Sequence, residues 1–332
     1  MAEDGSDALS AAHRETVHAA VAAAFGVVTI DAIRPLGGGA SGAFPFRVDL
    51  GGRGYLVRVE GVASPLRNPF QYQSMRIAAE AGIAPRLHHV DEEARVAVMD
   101  FIEEQPISAF PGGPPAFAEA IGQLLACVRE TPAFPRFVDY PDMVGRLWDW
   151  VCRTGLFVPG LLNPYSDHLA SICETYVWDA AGSLSSHNDP VPRNILFDGQ
   201  RLWLIDWESA YRNDPLVDVA IVLDSFALSP VLEPVLLQSW LGGRRDEAVR
   251  ARLPAVRALT RLYYAGVFLS AAAAALGPVE ETTLSAPSRA EFRRALRAGA
   301  LDPDAVDTKL TLGKMYLAAF LTGDPPPGLA LT

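Results

Sequence analysis

The stretch that decides the fold is SHNDPVPRNILF at residues 186–197, followed closely by LIDW at residues 204–207. It contains Asp189, then Asn194 five residues later, then Asp206 twelve residues beyond that. Phosphoryl transfer from a nucleotide uses such a set of groups. One carboxylate orients the attacking hydroxyl, while a carboxamide and a second carboxylate hold magnesium on the phosphates. The spacing therefore says more about the type of reaction than about the substrate.

Apolar residues surround Asn194 and Asp206, and an Asp-Gly pair at residues 198–199 lies between them. This pattern predicts a β-hairpin with strands over residues 194–197 and 202–206. Neighbouring strands allow both side chains to reach one point. Magnesium prefers oxygen ligands, so we expect Asn194 and Asp206 to bind it. Asp189, which is purely an acceptor when ionised, is the expected acceptor for the proton of the hydroxyl.

The composition is typical of a globular protein with a large core, because 50% of the 332 residues are hydrophobic and 20% are charged. The length is sufficient for two domains or two lobes around a cleft. The formal net charge of −11 argues against a nucleic-acid partner, which would require a basic face. The same charge mildly favours a cationic ligand.

The cysteines are spread out and have no metal-ligand spacing, so we expect neither a disulfide framework nor a metal cluster; they are Cys127, Cys152 and Cys173. The acidic, polar start of the chain is unlike a signal peptide. The most apolar run, residues 263–276, is shorter than the roughly 20 residues of a membrane span. These features predict a cytoplasmic protein without a membrane span, and they leave the oligomeric state open.

The sequence pattern changes along the chain and predicts two parts. Residues 1–104 carry β-type segments, with glycine turns at 37–39 and 51–52, and are predicted to form a nucleotide-binding lobe. The expected strands cover residues 27–33, 43–50, 54–60, 86–90 and 95–100, with a leading helix at 8–25 and an inserted helix at 69–81. This is an α+β arrangement with an antiparallel sheet.

Residues 105–332 are predicted to form a mainly helical lobe that contains the catalytic loop and the acceptor site. A segment rich in proline and glycine at 106–115 marks the change. The expected helices cover residues 116–129, 143–154, 164–179, 230–241, 247–276, 289–298 and 304–320. The hairpin at 194–206 supplies the only strands that the pattern predicts in this part.

This order of elements resembles the two-lobe protein-kinase-like fold. Within that fold, the chain resembles the aminoglycoside phosphotransferase and choline/thiamine kinase family of small-molecule kinases. The resemblance rests on residues 187–197, 204–220 and 55–101, roughly the middle half of the chain. It implies transfer of the γ-phosphate of ATP, or GTP, to a hydroxyl of a small acceptor. The Asp206-Trp207-Glu208 sequence, in place of Asp-Phe-Gly, argues against a switching protein kinase.

The resemblance also implies roles for further residues. Asp218 lies in NDPLVDVA at residues 213–220, where the family has an aspartate that buttresses the catalytic loop. Arg58, on the third strand, matches the basic residue that grips phosphate oxygens, and an arginine binds them in a bidentate manner. The backbone at Asp100 and Ile102 matches the connector that binds the adenine edge. The turn over the phosphates comprises Gly37, Gly38, Gly39 and Ser41.

One position departs from the family pattern. The family usually has a glutamate on the helix after the third strand, which pairs with the basic residue, and the matching residue here is Gln71. Gln71 can hydrogen-bond Arg58 but cannot neutralise it. The counter-charge would come from the nucleotide or from another acid such as Glu80, or the active state would be less preorganised. The alternative function is a nucleotide-binding pseudokinase with a regulatory role.

The acceptor is open at this point among aminoglycosides, amino alcohols such as choline and ethanolamine, thiamine-like molecules and sugar-like alcohols. Aromatic faces attract such cations through cation–π interactions. The candidate aromatics are Trp148, Trp150, Trp207, Tyr211, Trp240, Tyr263 and Tyr264. Ser209 stands where choline kinases have a tyrosine, so one wall of a quaternary-ammonium cage is missing. Acids expected near the site, which could pair with primary amines, are Glu208, Asp218 and Asp224.

Overall fold

This computed structural model of the chain describes residues 10–37, 42–61, 68–176, 182–226 and 230–328. The chain forms two compact units. The first comprises Met1–Ile107 with Leu196–Ala210, and the second comprises Ser108–Ile195 with Tyr211–Thr332. The sequence analysis placed residues 196–210 in the second lobe instead. The predicted boundary between two lobes, between residues 104 and 105, stays a prediction.

The first unit contains a five-stranded antiparallel sheet with the order β1-β2-β3-β5-β4. Its strands are β1 (Ala32–Pro35), β2 (Phe44–Leu50), β3 (Arg53–Val59), β4 (Leu87–Asp91) and β5 (Val96–Asp100). Gly51 and Gly52, with φ of 56° and 79°, form the hairpin turn between β2 and β3 that their sequence predicts. β1 begins five residues later than expected. Val27, at the start of the expected strand, is fully exposed.

Two helices accompany this sheet, α1 (Ala11–Phe25) and α2 (Gln71–Glu80). The Ser10 hydroxyl caps α1 by accepting from the N–H of His13 at 3.1 Å. One face of α1 joins the sheet in a hydrophobic core, which contains Val17, Ala20, Val21, Phe46, Val48, Val57, Val59, Val96 and Val98. Successive side chains of a strand point to opposite faces of the sheet. Along β2 and β3, every second side chain is therefore buried in this core.

Residues 196–210 carry most of the predicted hairpin, formed by β7 (Ile195–Phe197) and β8 (Leu202–Leu204). β8 ends two residues earlier than expected because Asp206 adopts a left-handed conformation, with φ 65° and ψ 68°. Residues Trp207–Ser209 then make one turn of 3₁₀ helix. The Asn68 amide and the Ser74 hydroxyl both donate to the carbonyl of Ala210, at 2.7 and 2.8 Å, and so tie this segment to α2.

The second unit is mainly helical, and all seven helices that the sequence predicts there are present within a few residues, although the expected end of the third, at residues 177–179, lies outside the described residues. They are α3 (Gly113–Glu130), α4 (Tyr140–Arg153), α5 (Asn163–Thr175), α7 (Glu233–Trp240), α8 (Glu247–Leu276), α9 (Arg289–Arg297) and α10 (Val306–Thr322). An eighth helix, α6 (Leu216–Ser225), was not predicted as a helix. Every residue of α6 is buried, so it lacks the polar face that makes an amphipathic helix recognisable.

Two further strands were also missed by the sequence analysis. β6 (Leu184–Ser186) pairs antiparallel with β9 (Tyr211–Asn213), with Leu184 opposite Asn213. Three residues are too few to show the alternation that identifies a strand. The expectation that the hairpin at 194–206 supplies the only strands after residue 105 was therefore wrong.

The long helix α8 is apolar enough to cross a membrane by length and composition, with a mean hydropathy of 1.3. However, 56% of the most apolar 18-residue window of this helix is buried inside the protein, where α8 packs against α10, α4 and α6. Arg261 on α8 is buried and donates to Asp224 on α6 at 2.7 Å and to the carbonyl of Ala319 on α10 at 3.1 Å. Burial of this kind is typical of the core helix of a soluble protein.

Two helix glycines provide a test of the packing in the second unit. A Cβ added at Gly122 in α3 would lie 2.5 Å from the carbonyl oxygen of Leu236 on α7, whereas one added at Gly145 in α4 would meet nothing within 4 Å. Because overpacking against backbone is costly, we expect Gly122→Ala to lower the free energy of unfolding by roughly 1–3 kcal/mol. Gly145→Ala, the matched control, should raise it by up to about 1 kcal/mol through helix propensity.

Urea unfolding followed by circular dichroism measures both changes. An unfolding midpoint for Gly122→Ala equal to that of Gly145→Ala would show that α3 and α7 do not approach as closely as described.

Candidate active site

The loop after β6 is held by Asp218, which lies in the first turn of α6. The two carboxylate oxygens of Asp218 accept the backbone N–H groups of His187 at 2.8 Å and Asn188 at 2.7 Å. Asn188 has φ 64°, and its side chain accepts from the Asn213 amide at 2.6 Å. Asp218 thus makes the contacts that the buttressing role requires, and the loop is fixed immediately before Asp189.

Asp218 is 2% exposed, which has an electrostatic consequence. Burial raises the pKa of Asp218 to about 7, although the N–H groups of His187 and Asn188 act in the opposite direction. Desolvation penalises the charged form, whereas hydrogen bonds to a carboxylate favour it. The two backbone bonds therefore keep this buried group ionisable near neutral pH.

Asp189 and Asn194 come together in the loop, as their spacing predicts. The Asn194 amide nitrogen donates to the backbone carbonyl of Asp189 at 2.9 Å and to its Oδ2 at 3.0 Å. Since the nitrogen is used in this way, the carbonyl oxygen of the Asn194 amide is the atom suited to a cation. Arg193, whose side chain is 60% exposed, lies 3.7 Å from the same Oδ2.

A third contact to Asp189 was missed by the sequence analysis. The Tyr264 hydroxyl donates to Asp189 Oδ1 at 2.6 Å, although the two residues are 75 positions apart. Tyr264 was a candidate only as an aromatic face for the acceptor. The sequence contains no local signal for this hydrogen bond, because only the packing of α8 brings the two residues together.

In the first unit, Arg58 lies among three carboxylates. Its nitrogens are 2.5 Å from Asp206, 2.9 Å from Glu60 and 3.1 Å from Glu208. Burial alone lowers the pKa of the Arg58 guanidinium, but the charges of Asp206, Glu60 and Glu208 outweigh it, and the net pKa is raised. The charge that Gln71 cannot supply is therefore supplied by these acids, whereas Glu80 lies exposed at the end of α2.

This cluster suits a divalent cation. One arginine and three carboxylates sum to a formal charge of −2, and Glu60 and Arg58 have side-chain exposures of only 2% and 11%. Asp206 supplies a carboxylate oxygen, the ligand type that magnesium prefers. Within the described residues there is no group of three or more His, Cys, Asp or Glu arranged to hold a metal by itself. Asn194 belongs to the second unit, so its meeting with Asp206 at one ion stays a prediction.

The expected nucleotide contacts are described in part. Gly38, Gly39 and Ser41 lie outside the described residues, whereas Gly37 and Gly42 border them, and Gly42 has φ 69°. The Asp100 carboxylate is 2.8 Å from His88 Nε2, and the backbone N–H of Asp100 donates to the carbonyl of Arg86 at 2.9 Å.

Ile102 and Gln71 complete the expected nucleotide-binding residues. The N–H of Ile102 has no hydrogen-bond partner within the described part of the chain. Gln71 is buried at the start of α2.

The chain matches a family model described as the phosphotransferase enzyme family over residues 32–253. It belongs to this family. Protein LicA from Haemophilus influenzae is 43% identical over 54 residues, which are 16% of this chain and 20% of that protein. The chain thus matches about one fifth of the length of this curated relative.

Two solved structures share the fold of this chain. The choline kinase LicA from Streptococcus pneumoniae superimposes with a TM-score of 0.64 and 14% identity, covering 93% of this chain and 100% of that chain. A spectinomycin phosphotransferase in complex with ADP and spectinomycin superimposes with a TM-score of 0.55 and 14% identity, covering 73% of this chain and 84% of that chain. The predicted family and the predicted α+β kinase-like fold class are confirmed.

The contacts of Asp218 give a prediction for the loop. In Asp218→Asn the amide keeps one acceptor oxygen and opposes a second N–H with its own donor, so one buried N–H loses its partner. We expect the free energy of unfolding to fall by roughly 1–3 kcal/mol. Asp142→Asn, at an exposed position in α4, is the control and should change it by less than about 0.5 kcal/mol.

Thermal and urea unfolding of the two variants provide the measurement. Equal stability of Asp218→Asn and Asp142→Asn would contradict the two hydrogen bonds described.

Proposed function

We propose that this phosphotransferase is an ATP-dependent kinase that phosphorylates a hydroxyl of a small cationic acceptor. The observation that carries the proposal is the Asp189 carboxylate, which accepts from the Asn194 amide at 3.0 Å. Asp189 directly follows His187 and Asn188, whose N–H groups donate to Asp218. In a phosphotransferase family member, a carboxylate and a carboxamide in this relation are the groups that orient a nucleophile and bind magnesium.

The proposed reaction is a direct transfer. The acceptor oxygen bonds to the γ-phosphorus while the bond from that phosphorus to the β,γ-bridging oxygen breaks, and ADP leaves. The proton of the acceptor hydroxyl passes to the Asp189 carboxylate. Because the transition state is loose, the main task of Asp189 is to aim the hydroxyl rather than to act as a strong base.

The remaining roles follow from charge. Magnesium, which Asn194 and Asp206 would hold, neutralises charge on the phosphates when bound. Arg58 would bind phosphate oxygens, and Glu60 keeps it oriented at 2.9 Å in place of a helix glutamate. The turn at residues 37–42 would cover the phosphates, and the backbone at Asp100 and Ile102 would bind the adenine. Electrostatic positioning of this kind supplies most of the rate enhancement in such reactions.

The acids that the sequence analysis considered as partners of an amine are all engaged within the protein. Glu208 pairs with Arg58, Asp218 accepts the two loop N–H groups, and Asp224 pairs with Arg257 and Arg261. This favours aromatic faces over carboxylates as the contact for a cationic acceptor.

Tyr263 is the best placed aromatic residue. Its side chain is half-buried, whereas Tyr140 and Tyr264 on either side are buried. Its ring centroid is 5.3 Å from that of Tyr264, which bonds Asp189, and 6.0 Å from that of Tyr140. Choline, ethanolamine, thiamine and aminoglycosides all carry the cation and hydroxyl that this arrangement suits.

A regulatory pseudokinase is the weaker alternative, because its support was the missing charge at Gln71. The carboxylates of Glu60, Asp206 and Glu208 around Arg58 remove that support.

The first prediction from this proposal concerns Asp189. With Mg–ATP and a panel of choline, ethanolamine, thiamine and aminoglycosides, we expect one acceptor class to be phosphorylated. Asp189→Asn should lower kcat by roughly 10²–10⁴-fold, because the neutral amide orients the hydroxyl less well than a carboxylate and cannot take its proton. Coupled detection of ADP release, with phosphorylated product identified by mass spectrometry, measures this. Asp198→Asn, in the turn of the β7–β8 hairpin, is the control. Nucleotide binding without turnover sensitive to Asp189 would favour the pseudokinase.

A second prediction concerns the acceptor contact. Tyr263→Ala removes an aromatic face, so KM for the cationic acceptor should rise roughly 3- to 30-fold while KM for ATP stays within about twofold. Tyr263→Phe keeps the face and should leave KM for the acceptor within about threefold. Steady-state kinetics of the three proteins provide the comparison. A KM in Tyr263→Ala equal to that of the wild type would rule out this residue as the cation contact.

A further inference from the structure

We propose that Tyr264 is a positioning residue, whose hydroxyl fixes the carboxylate of Asp189 in the orientation that the acceptor hydroxyl requires. The inference rests on the proposed function and deepens it. Its basis is the 2.6 Å hydrogen bond from the Tyr264 hydroxyl to Asp189 Oδ1.

The two oxygens of Asp189 are bonded from different parts of the second unit. Tyr264 on α8 bonds Oδ1 at 2.6 Å, and the Asn194 amide in the loop bonds Oδ2 at 3.0 Å. A rotation of the carboxylate about its Cβ–Cγ bond would break both hydrogen bonds. The group is therefore oriented before an acceptor binds, and preorganisation of this kind reduces the barrier without contacting the substrate.

The Tyr264 ring is itself immobilised. It is 7% exposed and packs between Tyr263 at 5.3 Å and Tyr316 at 5.8 Å, measured between ring centroids. Burial, and then the charge of Asp189, raise the pKa of the Tyr264 phenol well above its usual value. Tyr264 therefore stays a neutral donor. A neutral donor orients the carboxylate and leaves its charge intact, whereas a buried cation would neutralise that charge.

The hydroxyls of Tyr140, Tyr316 and Tyr211 do not have this contact. The hydroxyls of Tyr140 and Tyr316 are buried and have no hydrogen-bond partner among the described residues. The hydroxyl of Tyr211 contacts the sulfur of Met143 at 3.9 Å. Within this aromatic group, a hydrogen bond to Asp189 is recorded for Tyr264 and not for these three. Of the two consecutive tyrosines of α8, Tyr264 bonds the carboxylate of Asp189, and Tyr263 is the proposed contact for the acceptor.

The test deletes single hydroxyl groups. Tyr264→Phe should lower kcat roughly 10- to 100-fold, because Asp189 Oδ1 loses the hydrogen bond that orients it, while KM for ATP and for the acceptor stays within about twofold. Tyr316→Phe removes a buried hydroxyl without a recorded partner from the neighbouring ring and is the matched control, with kcat within about twofold of wild type. The assay uses the full chain, Mg–ATP and the panel member that turns over.

A double-mutant cycle separates positioning from a general structural effect. If Tyr264 acts through Asp189, Tyr264→Phe should cost no further activity in the Asp189→Asn background. A structural role would lower activity equally in both backgrounds. Melting temperatures are measured for every variant, and kinetics are compared at a temperature below all of them, so that unfolding cannot imitate the result.

The outcomes are distinct. Normal kcat in folded Tyr264→Phe, or a rise in acceptor KM at constant kcat, overturns the role proposed for Tyr264 and leaves the kinase function standing. Wild-type protein that phosphorylates no acceptor and shows no ATP hydrolysis dependent on Asp189 overturns the function and this inference together. A loss of kcat at constant KM, confined to the background with Asp189 intact, supports the proposal.

Discussion

Two hydrogen bonds to one buried carboxylate hold the loop on which the proposed chemistry depends. Asp218 accepts the N–H groups of His187 and Asn188, which follow β6 in a bend where Asn188 has a positive φ. Without that acceptor, two buried backbone donors would be unpaired, and the direction of the chain into Asp189 would not be defined. The short pair of β6 and β9 completes the frame. The geometry of Asp189 and Asn194 follows from this support.

The positive charge of Arg58 is balanced by residues other than the helix glutamate that the family usually has. Glu60, which directly follows β3, and Asp206 and Glu208 from the segment after β8 surround the guanidinium, so a glutamate on α2 is not needed. The cost is an excess of negative charge in a poorly exposed place. Such an excess is unfavourable by itself and becomes favourable beside a divalent cation or a cationic group. The same residues therefore explain both the tolerance of Gln71 and the affinity for magnesium that we propose.

The aromatic residues near Asp189 illustrate how one helix supplies two kinds of contact. Tyr263 and Tyr264 are adjacent on α8, and their side chains differ in burial and in partner. The packing of α8 against α10, α4 and α6 sets both orientations. Since the acids nearest in sequence to the motif are already paired, an acceptor cation would be recognised by polarisable ring faces, which tolerate differences in the shape of the ligand. This is consistent with the range of acceptors that the sequence left open.

The sequence by itself determined the family, the antiparallel sheet, nine of the ten α-helices in the described residues, and the pair of Asp189 and Asn194. These depend on local spacing, on apolar alternation and on glycine turns, all of which are readable along the chain. The tertiary structure alone decided the contact from Tyr264 over 75 residues, the pairing of Arg58 with Asp206 over 148 residues, and the engagement of Asp224 by Arg261. It also decided β6, β9 and the fully buried α6. The reason is physical: hydrogen bonds and ion pairs between distant residues form only where packing brings the groups together, and a short or uniformly buried element has no period in the sequence.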